Sequence, residues 1–246
     1  MTTSLGPAKY RAETIQVLFY TDLTTAPGSN NLIWKNFCLA ACLILLATDL
    51  RAERDTGGSH NFLLKAQMDD DWFFISRSNL ATRDNFGQLF LGFTGGALGY
   101  QLTDDWSIRF GYRHVWFRPR SDWLEEDRLF LEAYYANSFE ELRLTSRSRL
   151  EYRLFDYRED YLRFRNEFVL ESTTPFGDTN FHPYLEEEFF YNTRDNEFEA
   201  NWLGTGLAWR PRDGLKLKLG YRWNYFRVGN EWRSRDVLVT GVNLFF

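Results

Sequence analysis

LRLTSRSRLEYRLF (residues 142–155), DYRED (156–160) and YLRFRNEFVLE (161–171) decide how this chain is read. In the first run Leu142, Leu144, Ser146, Ser148, Leu150, Tyr152 and Leu154 alternate with Arg143, Thr145, Arg147, Arg149, Glu151, Arg153 and Phe155. In the second, Leu162, Phe164, Phe168 and Leu170 alternate with Arg163, Arg165, Glu167 and Glu171. A period of two places successive side chains on opposite faces of a β-strand, so one face is mostly apolar and the other carries both signs of charge. Ordinary strands run about 5–6 residues. Longer strands, apolar outward and polar inward, are what a barrel needs to cross a bilayer with about 9–11 residues.

The pattern continues on both sides. Candidate strands cover 60–68, 72–83, 88–102, 106–118, 126–136, 142–155, 161–172, 181–192, 198–210, 215–228 and 235–246, separated by short polar turns. The cleanest sets Leu215, Leu217, Leu219, Tyr221, Trp223 and Tyr225 against Lys216, Lys218, Gly220, Arg222 and Asn224. Another sets Trp106, Ile108, Phe110, Tyr112 and Trp116 against Arg109, Gly111 and Arg113. Trp72 and Trp106 follow short acidic turns and Trp209 precedes one, as interfacial aromatics do at a membrane. The fold expected is all-β: an antiparallel transmembrane β-barrel of 10–12 strands. Twelve is favoured over ten, because antiparallel closure needs an even number and a short first strand can hide within 53–60.

Bulk properties narrow the class. Aromatic residues make up 18% of the chain, while mean hydropathy is negative, which excludes a bundle of apolar helices. A net charge of -5 argues against nucleic acid as a partner. The two cysteines, Cys38 and Cys42, both fall in the early run LIWKNFCLAACLILLATDLRA, residues 32–52. That run has one basic residue, Lys35, an apolar core over 37–47 and a small residue, Ala52, at its end, the shape of a secretory signal peptide. Its core is too short for a membrane helix, which needs about 20 apolar residues. The expected organisation is an extension over 1–31 that is absent from the mature protein, a signal peptide over 32–52, and a barrel over 53–246.

The chain ends VTGVNLFF, with positions 246, 244, 242 and 238 apolar and of one parity. Gly241, Leu244 and Phe246 resemble the terminal signal by which outer-membrane proteins meet the barrel-insertion machinery; Val239 departs from it. Further motifs are Arg147-x-Arg149-x-Glu151-x-Arg153, Arg163-Phe164-Arg165, Pro183-Tyr184 with acidic residues at 186–188, Gly206-Leu207 and Gly220-Tyr221. With these, residues 60–246 resemble the bacterial domain-of-unknown-function family numbered 2490, a group of predicted outer-membrane barrels. The resemblance implies that fold and location, and carries no catalytic residues.

The candidate site is a ladder of inward charges: Arg143, Arg147, Arg149, Glu151, Arg153, Arg163, Arg165, Glu167 and Glu171, with Glu186 and Glu188 on the next strand. Opposite charges across a strand pair attract. The preferred reading is a structural ladder filling a small barrel; the alternative is a charged constriction that selects ions. His60, His114 and His182 are the only histidines, and none lies in a serine motif of an acyl hydrolase. Glu187 shares parity with Leu185 and Phe189, so either a bulge reverses the face there or it lies at the interface. No catalytic residue, metal or cofactor is expected. Three functions compete: a structural or narrow-channel outer-membrane barrel, a lipid-modifying enzyme of esterase or deacylase type, and a soluble periplasmic β-sandwich that binds a ligand. The partners expected are outer-membrane lipid and the insertion machinery, with small solutes or ions as candidate cargo.

Overall fold

The computed structural model describes residues 55–246. The expected extension and signal peptide lie outside the described residues. Eleven strands follow one another without a helix: β1 (Asp55–Gln67), β2 (Trp72–Arg83), β3 (Gln88–Gln101), β4 (Trp106–Phe117), β5 (Leu124–Phe139), β6 (Leu142–Phe155), β7 (Tyr161–Ser172), β8 (Phe181–Asn192), β9 (Glu197–Arg212), β10 (Leu215–Val228) and β11 (Glu231–Phe245). Each neighbouring pair in sequence is an antiparallel hairpin, and β1 pairs with β11 to close the sheet. A single sheet closed on itself is not a two-sheet sandwich, so the β-sandwich alternative does not describe this chain.

The strand number corrects one detail. Eleven lies within the expected range, but the favoured twelfth strand does not occur among the described residues. Residues 55–59 instead lengthen β1. With an odd count the first and last strands point the same way, and β1 and β11 meet in parallel, from Asp55 opposite Arg235 to Lys65 opposite Phe245. Parallel pairing satisfies both edges with evenly spaced, slanted hydrogen bonds, so closure does not need an even number. The final residue is part of the seam: Phe246 N–H donates to the Lys65 carbonyl at 2.9 Å, and Gln67 N–H to the Phe246 carbonyl at 2.8 Å.

The wall is inverted relative to a water-soluble protein. Every strand presents a large apolar side chain outward: Phe62, Phe74, Leu98, Phe110, Leu131, Leu150, Phe168, Phe181, Leu207, Leu219 and Leu238, each between 38% and 62% exposed. The opposite parity fills the lumen. Phe73 and Ile75 of β2, Ala97 of β3, and Val237 and Val239 of β11 line one side, and the arginines and glutamates of β4–β9 the other. Trp72 meets Tyr100 edge-on and Trp106 meets Tyr135 at a tilt, at the ends of their strands. Short turns join the strands; Gly214 and Gly229 take the left-handed backbone that the two-residue turns Asp213-Gly214 and Gly229-Asn230 require.

Inward glycines make room for inward rings. A Cβ at Gly111 would lie 2.4 Å from Phe130 Cζ and 2.5 Å from the Gly96 carbonyl oxygen. The Tyr184 hydroxyl sits where Cβ atoms at Gly206 and Gly220 would be, at 2.7 and 2.3 Å. Gly111→Ala should therefore overpack the lumen and destabilise the barrel by about 1–3 kcal/mol. Gly241→Ala, whose nearest neighbour would be Lys218 Cβ at 3.3 Å, should cost less. Urea midpoints of the two variants in detergent check the ranking; equal midpoints would contradict the packing account.

Candidate functional site: the charged lumen

The parity of β6 and β7 aims their charges at one another. Arg147 stands opposite Glu167, Glu151 opposite Arg163, and Arg149 opposite both Arg165 on β7 and Glu132 on β5. Glu132 holds four guanidiniums. Arg149 donates to Oε2 from Nε at 2.6 Å and again from Nη2, Arg77 and Arg147 reach the same oxygen at 3.4 Å, and Arg109 reaches Oε1 at 3.3 Å. Glu151 also holds four, one of them shared with Glu132: Arg149 at 3.0 Å, Arg165 at 3.1 Å, Arg163 at 2.6 Å and Arg128 at 3.9 Å. Glu126 accepts from Arg128 at 2.7 Å and from Arg153. Glu188 accepts from Arg165 at 2.5 Å and Arg147 at 3.2 Å. Glu167 pairs with Arg147, and Glu199 with Arg153 and Arg163.

These contacts form one connected network. Eight arginines (77, 109, 128, 147, 149, 153, 163 and 165) share six glutamates (126, 132, 151, 167, 188 and 199). The bond from Arg77 on β2 to Glu132 on β5 skips two strands, and that from Arg147 on β6 to Glu188 on β8 skips one, so the network spans the lumen as well as running along the wall. Rings seal it: Arg149 lies over Phe130 at 4.3 Å, Arg165 over Phe190 at 4.6 Å and Arg109 over Tyr134 at 3.8 Å. Glu151 is 0% exposed, and Glu132 and Arg149 are 1% exposed. Solvent does not reach the centre.

Not every residue of the expected ladder belongs to this network. Glu171 binds Arg210 and Lys216 near the rim where the chain ends, and Glu186 binds Lys218 at 3.0 Å. Arg143 is exposed, beside the Glu140-Glu141 turn, and lies outside this network. Glu187 needs no reversed face. It points outward, exposed, and accepts from Asn201 Nδ2 at 2.9 Å.

The comparisons name no activity. A family model described as a protein of unknown function, DUF2490, matches residues 60–235. The chain belongs to this family. No curated protein matches the chain. The matched span starts within β1, ends within β11, and contains the whole network.

In this DUF2490 barrel the histidines are dispersed. His60 Nδ1 meets the Thr240 hydroxyl at 2.8 Å, His114 Nδ1 meets Asp127 at 2.8 Å with Nε2 turned toward Glu125 at 3.7 Å, and His182 is buried with Nδ1 on the Ser172 carbonyl at 3.0 Å. No imidazole among the described residues bonds both a hydroxyl and a carboxylate, as nucleophilic hydrolysis requires. Gly241 faces inward on β11, with Val242 and Phe246 exposed on the other face.

Several network members escaped the sequence reading: Glu126, Arg128, Glu132, Arg77 and Glu199. Glu126, Arg128, Phe130, Glu132 and Tyr134 do alternate, but Glu125 and Asp127 put charge on the other face and hide the period. Deleting one partner of a dry network isolates the rest. Glu151→Gln should lower stability by about 3–5 kcal/mol. Adding Arg165→Gln should restore part of that, with a coupling of about 0.5–3 kcal/mol. Thermal unfolding of both singles and the double in detergent measures it; near-neutral singles would mean a wet, screened lumen.

Proposed function

We propose that this protein is an outer-membrane β-barrel with a closed, self-neutralising lumen. It acts as a structural barrel, or as a channel too narrow to pass solutes in its resting state. The observation that carries this reading is the inversion of the wall. Apolar side chains face outward on all eleven strands, while the buried interior is ionic. In water such an object would expose a continuous apolar belt and bury its charges, each unfavourable. In a bilayer the belt meets lipid, and the strand lengths of 12 to 16 residues suffice to cross it at a tilt. Aromatics at strand ends, such as Trp72, Trp106 and Trp209, suit the interfaces.

The closed reading of the lumen is supported by the burial of Glu132, Arg149 and Glu151 at its centre. A permanently open pore would leave these groups hydrated. A lipid-modifying enzyme finds less support, because His114 lies between two carboxylates with no hydroxyl bonded to it.

Four experiments test the proposal. Membrane fractionation should place the protein in the outer membrane with heat-modifiable migration, and Leu219→Arg should destabilise it in lipid by about 2–4 kcal/mol if Leu219 lies at mid-membrane. Recovery in the soluble periplasm would refute the location. Deleting Phe246 removes a terminal apolar residue and two backbone bonds to β1, and should reduce assembly while leaving export intact. In planar bilayers the wild type should conduct little; a steady, large conductance would refute the closed lumen.

A further inference from the structure

Glu199 is an extra residue in β9. Phe190 of β8 stands opposite Ala200 and Tyr191 opposite Phe198, so Glu199 has no counterpart across the pair. That is a β-bulge, which breaks the ordinary alternation of faces. Inside the barrel, Glu199 joins the network through Arg153, Arg163 and the Tyr161 hydroxyl. Ala200 is buried as well. Two successive residues therefore leave the outer face without a large side chain between Phe198 and Asn201.

The gap is a groove of about 380 Å³, open on the outer wall and lined by Glu187, Phe189, Phe198, Ala200, Asn201 and Trp232. Ring contacts fix its sides. Phe198 meets Phe189 at 6.2 Å and Tyr191 at 5.4 Å, and Trp232 stacks on Tyr225 at 4.7 Å. Phe198 and Trp232 are the second residues of β9 and β11, at the rim. Glu187 lies deeper, well inside β8, which ends at Asn192. From that rim the groove runs from rings to a carboxylate. Glu187, exposed on the wall, accepts from Asn201 Nδ2 at 2.9 Å. An ionised carboxylate accepts several hydrogen bonds and a carboxamide carries two N–H groups, so the pair can both accept and donate further. An ionisable group at membrane depth is costly and points to a binding role.

We propose that this groove holds one acyl chain of a membrane lipid, hydroxylated near its headgroup end, with the hydroxyl between Glu187 and Asn201. The inference rests on the lipid-facing wall proposed above. On that reading acyl chains surround the groove, and headgroups stay at the level of the rim aromatics. At about 30 Å³ for a water-sized group, the groove has room for on the order of a dozen such groups, most of one chain. A hydroxyl donates to Glu187 and accepts from Asn201 at once, which a methylene cannot. A lipid ammonium would suit the carboxylate, but it stays at the headgroup level, above the rings.

The test uses the full chain in detergent micelles. The probes are methyl β-hydroxymyristate and methyl myristate, which differ only in the hydroxyl. The hydroxylated ester should raise the unfolding temperature by about 5 °C or more at about a hundredfold excess over its dissociation constant, and the plain ester by clearly less. Glu187→Leu should remove the difference between the esters while folding normally, because an apolar side chain suits the outer wall. A chain-brominated β-hydroxymyristate ester should quench the tryptophan emission of the wild type more than that of Trp232→Phe. Equal shifts with both esters overturn the proposal, as does a difference that survives Glu187→Leu. A dimer that Glu187→Leu dissociates would give the groove to a second copy and also overturns it. If the wild type fractionates with the outer membrane while the esters act alike, the lipid-facing wall stands and only the groove fails. Recovery of the wild type in the soluble periplasm overturns both.

Discussion

A buried carboxylate shared among several guanidiniums is the interaction on which the rest of this barrel depends. Glu132 and Glu151 sit at the centre of the lumen, and each is held by four arginines drawn from several strands. An ion excluded from water must be paired and hydrogen-bonded or it destabilises the fold. Inward parity must therefore be kept along each of those strands, since a slip of one residue would turn arginines to the outer wall. The glycines answer the same demand from the other side. Filling the interior with long side chains and rings leaves no volume for a Cβ at Gly111, Gly206 or Gly220.

The two halves of the lumen divide this work. β1–β3 and β11 contribute Phe73, Ile75, Ala97, Val237 and Val239, which are compact and uncharged. β4–β9 contribute most of the ions, whose aliphatic stems and stacked guanidiniums cover the aromatic rings between them. Arg77 joins the halves, crossing from β2 to Glu132.

Much of this was legible in the sequence because a strand's period of two is a local property. The bounds 142–155, 161–172, 181–192 and 215–228 coincide with β6, β7, β8 and β10, and the outward set on β10 is as read. What could not be read is non-local. DTGGSH at the start of β1 has no apolar alternation, and its pairing with 235–240 of β11 is non-local, so its own residues do not announce a strand. The partners of Glu151 depend on three strands' registers at once. Arg143 has the parity of a lumen residue and lies outside the network, which parity does not encode. Bonds such as Arg77 to Glu132 arise from the curvature of the closed sheet, which brings together residues that no hairpin makes neighbours.

The parallel seam between β1 and β11 has a kinetic consequence. Every other strand pair is a hairpin, formed between segments adjacent along the chain, and can assemble in succession with little loss of chain entropy. The seam joins residues as distant as Asp55 and Arg235, which also meet through their side chains. Their contact order is close to the length of the domain. Ring closure therefore carries the largest chain-entropy cost of the eleven pairings, and until it occurs both edges of the sheet are open templates. A chain stalled at that stage carries two mutually complementary edges, and two such chains can close on each other as readily as one can close on itself.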